Sequence, residues 1–291
     1  MKLFDCHCDT LTELRRRGET LEKNTCQVSF PLAFGAFEEY SQVLAVWSED
    51  DVDGEENYRR FHLTLDYAEP MLTRANFHPV LAVEGGKLLC GQIGRLTHLY
   101  NRGVRILTLV WKGVCCVGGA YDTDAGLTDF GRETVETCLA LGIVPDLSHA
   151  SDRMFEETAA IAESRRGTIL VSHSCARALC PHPRNLTDGM AKRTASLGGV
   201  IGVNLVPDHL GGRCLGDVVR HIFHLAEKAG DDHIALGCDF DGTDALPEEL
   251  PNIGALPRLW DALCKKVHSE RFTEKIFYSN AQNFAKAHFT R

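Results

Sequence analysis

The sequence predicts a (β/α)8 barrel of the TIM type, and three observations point to it. Eight short apolar runs recur along the chain, amphipathic helical segments lie between them, and no G-x-G-x-x-G turn follows the first run. Eight strands alternating with helices over about 250 residues match the arithmetic of that barrel. A doubly wound open sheet, the rival, would carry the phosphate-binding glycine turn after its first strand. Most of the runs are nearly continuous in Val, Ile, Leu and Ala, as strands buried on both faces of a parallel sheet are.

The first four strands are expected in KLFDCHCD (2–9), SQVLAVWS (41–48), HPVLAVEG (78–85) and VRILTLVW (104–111). Four more follow in GIVPDLSH (142–149), GTILVSHS (167–174), GGVIGVNLV (198–206) and HIALGCDF (233–240). Between the later strands, TDFGRETVETCLALG, SDRMFEETAAIAESRRG and LGDVVRHIFHLAEKAG read as helices that end near Gly. Thr128 or Asp129 is the N-cap candidate of the first, and Ser151 of the second. Residues 243–291 read as helical with a loop at DALPEELPNIGALP, and no Pro/Gly/Ser-rich linker divides the chain, so residues 1–291 are expected to form a single domain.

Bulk composition excludes several classes of function. A net charge of −9 without clustered Lys and Arg argues against nucleic acid, and no window approaches the length of a membrane span. The N-terminal MKLFDCHCDTLTELRRRG lacks the apolar core of a signal peptide, so a cytoplasmic location is expected. The twelve cysteines then read as reduced thiols. None forms a CxxC pair, and Cys6-x-Cys8 and Cys115-Cys116 read as packing residues.

In a barrel the C-terminal strand ends share one face, where catalytic groups gather. The unusual residues there are His7, Asp9, Glu84, His149, His173, Asp239 and Asp241. Imidazoles and carboxylates in one mouth suit zinc, and also manganese, iron or cobalt. Alternation along a strand directs His7 and Asp9 into the barrel and Cys6 and Cys8 toward the helices. It also sets Asp239 and Asp241 on one face, with Cys238 turned away. Blander readings compete, since a lone strand-end His is commonly a hydrogen-bonded structural residue. Asp146 is either an N-cap or part of the site, Asp241 is read as an N-cap, and the other histidines, His209 included, are read as structural or surface. Glu84, in LAVEGG, would be costly to bury without a partner or a metal.

The motifs DCHCDT, LAVEGG, GLTDFGRETVETCLALGIVPDLSH, VSHSCARALCPHPRNLTD, GGVIGVNLV and LGCDFDG run nearly the length of the chain. In that order they resemble the membrane (renal) dipeptidase family of zinc metallopeptidases, barrels of the metal-dependent hydrolase type, and in particular its compact soluble bacterial members. The resemblance implies a binuclear-metal dipeptidase that hydrolyses dipeptides through a metal-bridging hydroxide. His7, Asp9 and Glu84 would hold one divalent ion and Glu84, His149 and His173 the other, with zinc first among the metals. Asp239 looks like the family's proton-transfer aspartate, and Arg184 like its contact for the substrate carboxylate. Asn185 beside it and Trp111 complete the expected substrate contacts, and a homodimer is kept open. One departure is visible: where relatives often carry a histidine in LTLTH, this chain has Trp111 in LTLVWKG. Two rival readings stand beside the dipeptidase. One is a metal-dependent amidohydrolase acting on another amide, a lactam or an N-acyl amino acid; the other is a metal or thiol sensor built on the cysteines.

Overall fold

Eight parallel strands form in the eight expected places. In the computed structural model, which describes residues 1–289, they are β1 (Lys2–Cys8), β2 (Glu39–Trp47), β3 (Phe77–Glu84) and β4 (Val104–Thr108). The second half comprises β5 (Val144–Asp146), β6 (Val171–Ser174), β7 (Ile201–Val203) and β8 (Ile234–Leu236). Their hydrogen-bonded order is β5-β4-β3-β2-β1-β8-β7-β6. The seam between β5 and β6 is closed through Leu170, whose N–H donates to the Pro145 carbonyl at 3.0 Å and whose carbonyl accepts from Leu147 N–H at 2.8 Å. A (β/α)8 barrel results.

The helices between the later strands begin at the expected caps. Thr128 accepts from Gly131 N–H ahead of helix Asp129–Leu141, and Ser151 accepts from Met154 N–H ahead of Asp152–Ser164. Each hydroxyl satisfies an otherwise orphaned backbone donor of the first turn. After the loop near residue 250, helices fill much of the C-terminal region, ending in Asn280–His288.

Two apolar clusters divide the interior. The larger joins the outer strand faces to the helices. The smaller takes residues from every strand or its immediate flank, among them Phe4, Cys6, Val43, Ala82, Ile106, Val144 and Ala235, and so fills the barrel itself. Ala281 and Phe284 of the last helix join that cluster and plug its lower end.

Strand alternation does not hold throughout, and two departures bear on the expected side-chain directions. Asp5 pairs with Gln42 but Cys8 pairs with Leu44, so β1 holds one extra residue between them. That bulge corrects the expectation for the cysteines: Cys6 packs inside the barrel and only Cys8 packs outward. A bulge re-aims side chains by breaking the two-residue period, so Cys6 and His7, neighbours in sequence, both serve the interior. The parity argument for Asp239 and Asp241 also does not apply. β8 ends at Leu236, and both aspartates lie beyond it at positive φ, 62° and 65°.

Candidate metal centre and substrate cavity

Five side chains predicted as ligands come together at the C-terminal mouth. Glu84 ends β3 and is 3% exposed. Its Oε1 lies 2.9 Å from His149 Nε2, 3.2 Å from His173 Nε2 and 3.6 Å from His7 Nε2. His7 comes from the β1 bulge and His173 from a matching irregularity in β6, between Val171 and Ser174. His149 stands past β5 at φ 68°, outside the strand conformation, and its carbonyl accepts from Tyr121 N–H at 2.7 Å. Asp9, one residue past β1, places Oδ2 3.4 Å from His7 Nε2. Although Asp9 stands at the N-cap position of helix Thr10–Arg17, its side chain makes no capping bond and stays with the cluster.

The donor set fits divalent cations. Three groups have all their ligand atoms within 4.8 Å of one another: His7 with Asp9 and Glu84; Glu84 with His149 and His173; His7 with His173 and Asp239. His7 Nε2 is buried without a hydrogen bond of its own, though oxygens of Asp9, Glu84 and Asp239 surround it at 3.4, 3.6 and 3.9 Å. Three carboxylates crowded in a buried space repel one another unless protons or cations offset their charge. Burial and the neighbouring Asp9 push the Glu84 pKa up to about 8, and burial, against the pull of His7, pushes Asp239 up to about 6. Burial would lower His7, but Glu84 and Asp9 outweigh it and hold it well above the usual imidazole range. Burial keeps His149 and His173 well below that range. His149 and His173 are thus in the neutral form that metal coordination requires, whereas His7 would have to release its proton to a metal.

Above this cluster opens a cavity of about 430 Å³. Arg184 reaches it from the segment after β6; the side chain is 4% exposed, and Nη2 donates to the His173 carbonyl at 2.8 Å. Its Nε and Nη1 are buried with no partner, which leaves two donor nitrogens of a cation unsatisfied beside the site. Trp111 lines the cavity and meets Trp47 edge-to-face, with ring centroids 4.9 Å apart. Asn185 is not a lining residue: its amide donates to the carbonyls of Cys180 at 3.0 Å and His209 at 2.8 Å, tying two loops together.

Asp146, left open by the sequence, and Asp241, read there as an N-cap, find their roles in packing. Asp146 is not an N-cap, since Ser151 caps the helix that follows; it lies fully buried beneath the ligand cluster. Asp241 is not an N-cap either. Its carboxylate accepts from Thr10 Oγ1 at 2.6 Å and from Gln27 N–H at 2.7 Å, clamping the first helix and the loop after it to the β8 end.

Trp47, Tyr121 and His209 also line the cavity and were missed. Trp47 had a usable signal, because it ends β2 in register with Glu84. His209, read as structural, is corrected to a lining residue. Its Nδ1 faces Asn204 Nδ2 at 2.9 Å, and burial with Arg184 nearby pushes its pKa down to about 2, so it stays neutral. No local spacing marks it, since its loop reaches the mouth only through tertiary packing. The cysteines contribute no ligand to these groups, and all twelve are free thiols.

Comparison with known proteins agrees with this architecture. The profile of the membrane dipeptidase family (peptidase family M19) matches residues 54–288. A Klebsiella pneumoniae protein, described as uncharacterized and from the pqqA 5' region, is 35% identical over 240 residues, covering 76% of this chain and 86% of that one. Dipeptidase 3 of Rattus norvegicus is 29% identical across 69% of this chain but only 43% of its own length. Among solved structures, an M19 dipeptidase superposes with a TM-score of 0.91 at 23% identity, covering 100% of this chain and 99% of that one. A metallopeptidase from Rhodobacter sphaeroides, solved with a phosphinate mimic of L-Ala-D-Ala, gives 0.85 at 22% identity, with 99% of each chain covered. No helix among the described residues is long and apolar enough to cross a membrane. A profile match over most of the chain, on a barrel that gathers this cluster at its mouth, settles the kinship: the chain belongs to the membrane dipeptidase family and is a hydrolase acting on dipeptides.

Proposed function

We propose that the protein is a binuclear metallodipeptidase in which Glu84 bridges two divalent ions, zinc first among them. His7 and Asp9 complete one ligand set and His149 and His173 the other. The observation that carries this reading is the approach of three imidazole Nε2 atoms to one buried oxygen, Glu84 Oε1, at 2.9, 3.2 and 3.6 Å. Such ions supply Lewis acidity for a peptide carbonyl and acidify a water enough for it to attack near neutral pH.

The chain's own residues do the rest. Asp239, raised to about 6 and facing His7, is placed to take the water's proton and hand it to the leaving amine. Arg184 offers its unpartnered N–H groups to the free C-terminal carboxylate of a dipeptide, a charge-assisted contact that a longer peptide could not offer at that distance. Trp47 and Trp111 form an apolar wall that excludes water and favours apolar side chains near the scissile bond.

The Trp111 wall also favours a second reading, an N-acyl amino acid hydrolase, whose substrates keep the carboxylate but present an apolar acyl group. The test is kcat/KM for a dipeptide, its C-terminal amide and the matching N-acyl amino acid, in wild type and Arg184→Ala. A dipeptidase should prefer the dipeptide, reject the amide, and lose dipeptide turnover selectively in Arg184→Ala. Equal losses on dipeptide and amide would remove Arg184 from carboxylate recognition, and a preference for the N-acyl compound would establish the second reading.

A further inference from the structure

Beneath the ligand side chains lies a polar layer that the chemistry above does not use. Asp146, fully buried at the end of β5, accepts five hydrogen bonds. Its Oδ1 accepts from the backbone N–H of Ser172 at 2.8 Å and of Ser148 at 3.0 Å, and from the Ser148 hydroxyl at 2.9 Å. Its Oδ2 accepts from the hydroxyls of Thr108 and Ser172, both at 2.6 Å. A hydroxyl has one proton to donate, and Ser172 gives its proton to Asp146. Toward His173 Nδ1, 2.8 Å away, Ser172 Oγ can therefore only accept. The imidazole proton must sit on Nδ1, which leaves the Nε2 lone pair facing Glu84 Oε1 and His149 Nε2. Ser148 follows the same logic: its proton goes to Asp146, and its oxygen accepts from the His173 backbone N–H at 3.1 Å.

We propose that Asp146 and Ser172 form a hydrogen-bond relay that fixes the tautomer and ring orientation of His173. Both are positioning residues, since neither faces the cavity. The relay rests on the metal-centre reading only for its purpose; the tautomer itself follows from the hydrogen bonds. Buried partners that orient a ligating imidazole in this way commonly tune metal affinity by about 10–100-fold.

The relay has a polarity that one substitution should reverse. In Asp146→Asn the amide oxygen must occupy the Oδ1 position, because two backbone N–H groups point there. The NH2 group then takes the Oδ2 position and donates to Ser172 Oγ. Of the acceptors then within reach of the Ser172 proton, His173 Nδ1 at 2.8 Å is nearer than Ser148 Oγ at 3.2 Å or His7 Nδ1 at 3.5 Å, so Ser172 should turn it there and make His173 the Nε2–H tautomer, wrong for coordination. Ser172→Ala removes the acceptor and releases the ring to the Nε2–H form that free imidazole favours. Ser172→Thr keeps the hydroxyl and should behave as wild type.

The experiment uses the full chain with 15N-labelled histidine. Multiple-bond 15N–1H spectra of the metal-free protein report the tautomer, with His173 assigned through His173→Asn, and zinc titration of each variant follows. The relay predicts Nδ1–H in wild type and Ser172→Thr, Nε2–H in Asp146→Asn and Ser172→Ala, and zinc affinity about 10–100-fold weaker in the latter two. Nε2–H in wild type, or Nδ1–H persisting in either Asp146→Asn or Ser172→Ala, overturns it. Should Asp146→Asn fail to fold, Ser172→Ala against Ser172→Thr decides the matter. A wild type showing the expected tautomers but no zinc binding would uphold the relay and overturn the metal-centre reading instead.

Discussion

Asp239 and Asp241 both adopt left-handed backbone two residues apart, yet their carboxylates meet different partners. Asp239 faces His7 across 3.9 Å, while both Asp241 oxygens are engaged by Thr10 and Gln27. Asp239→Asn should therefore retain metal and lose kcat by roughly 10²–10⁴-fold, the scale of a general acid–base group. Asp241→Asn keeps an acceptor for Gln27 N–H and should cost about 1 kcal/mol of stability with little change in kcat. Steady-state kinetics and metal analysis on both variants check this; inactivity of Asp241→Asn with intact metal would exchange the roles. Glu84→Gln should lower the content of both metals, because a neutral amide bridges cations poorly, and unchanged stoichiometry would remove the bridge. At this scale the residues of the buried cluster were legible because each stands at or just past a strand end. His209 and Tyr121 were not, because loops carry them to the mouth and no period in the sequence records where a loop folds back.

The bulges of β1 and β6 show what an element adds to its residues. Each places consecutive side chains on the interior: Cys6 with His7, and Ser172 with His173. Gly202 in β7 and Gly237 just past β8 make room for the second bulge. A Cβ on either would lie 1.9 or 1.8 Å from the Ser172 carbonyl oxygen, so the glycines are needed for close approach. Gly202→Ala and Gly237→Ala should each cost about 1–3 kcal/mol or more through overpacking and also weaken zinc binding by displacing His173. Thermal melts with and without metal separate the two effects, and full-affinity binding in a destabilised variant would detach the bulge from the site. All eight strands were legible from apolar runs alone, but their C-terminal ends were read too long in β4, β5, β7 and β8. Beyond β5 and β8 the chain turns left-handed at His149 and Asp239, three residues past each strand end, and non-Gly residues give little warning of such turns. The β1 bulge was equally silent, since KLFDCHC reads as well without an extra residue.

Across the whole molecule, the carboxylates packed at the mouth repel one another, so the metal-free protein is predicted to be the less stable form. Chelation should lower the melting temperature, and zinc at about 100 times its Kd should restore about 2.7 kcal/mol. A chelator-insensitive melt would show that the cluster is stable without cations. The barrel also imposes an order of events in time. Asp5 binds the Cys238 N–H across 233 residues of chain, and Thr10 binds Asp241 across 231. During synthesis at roughly 5–20 residues per second, β1 emerges early and must wait many seconds for β8. Until then one edge of β1 stays unpaired, and His7 and Asp9 cannot meet Asp239. Phe284 must arrive later still to stopper the interior against Phe4 and Cys6. The nascent chain therefore exposes apolar strand edge and thiols for most of its translation, and a ribosome stalled before residue 236 would hold a sheet with no means of closing into a barrel.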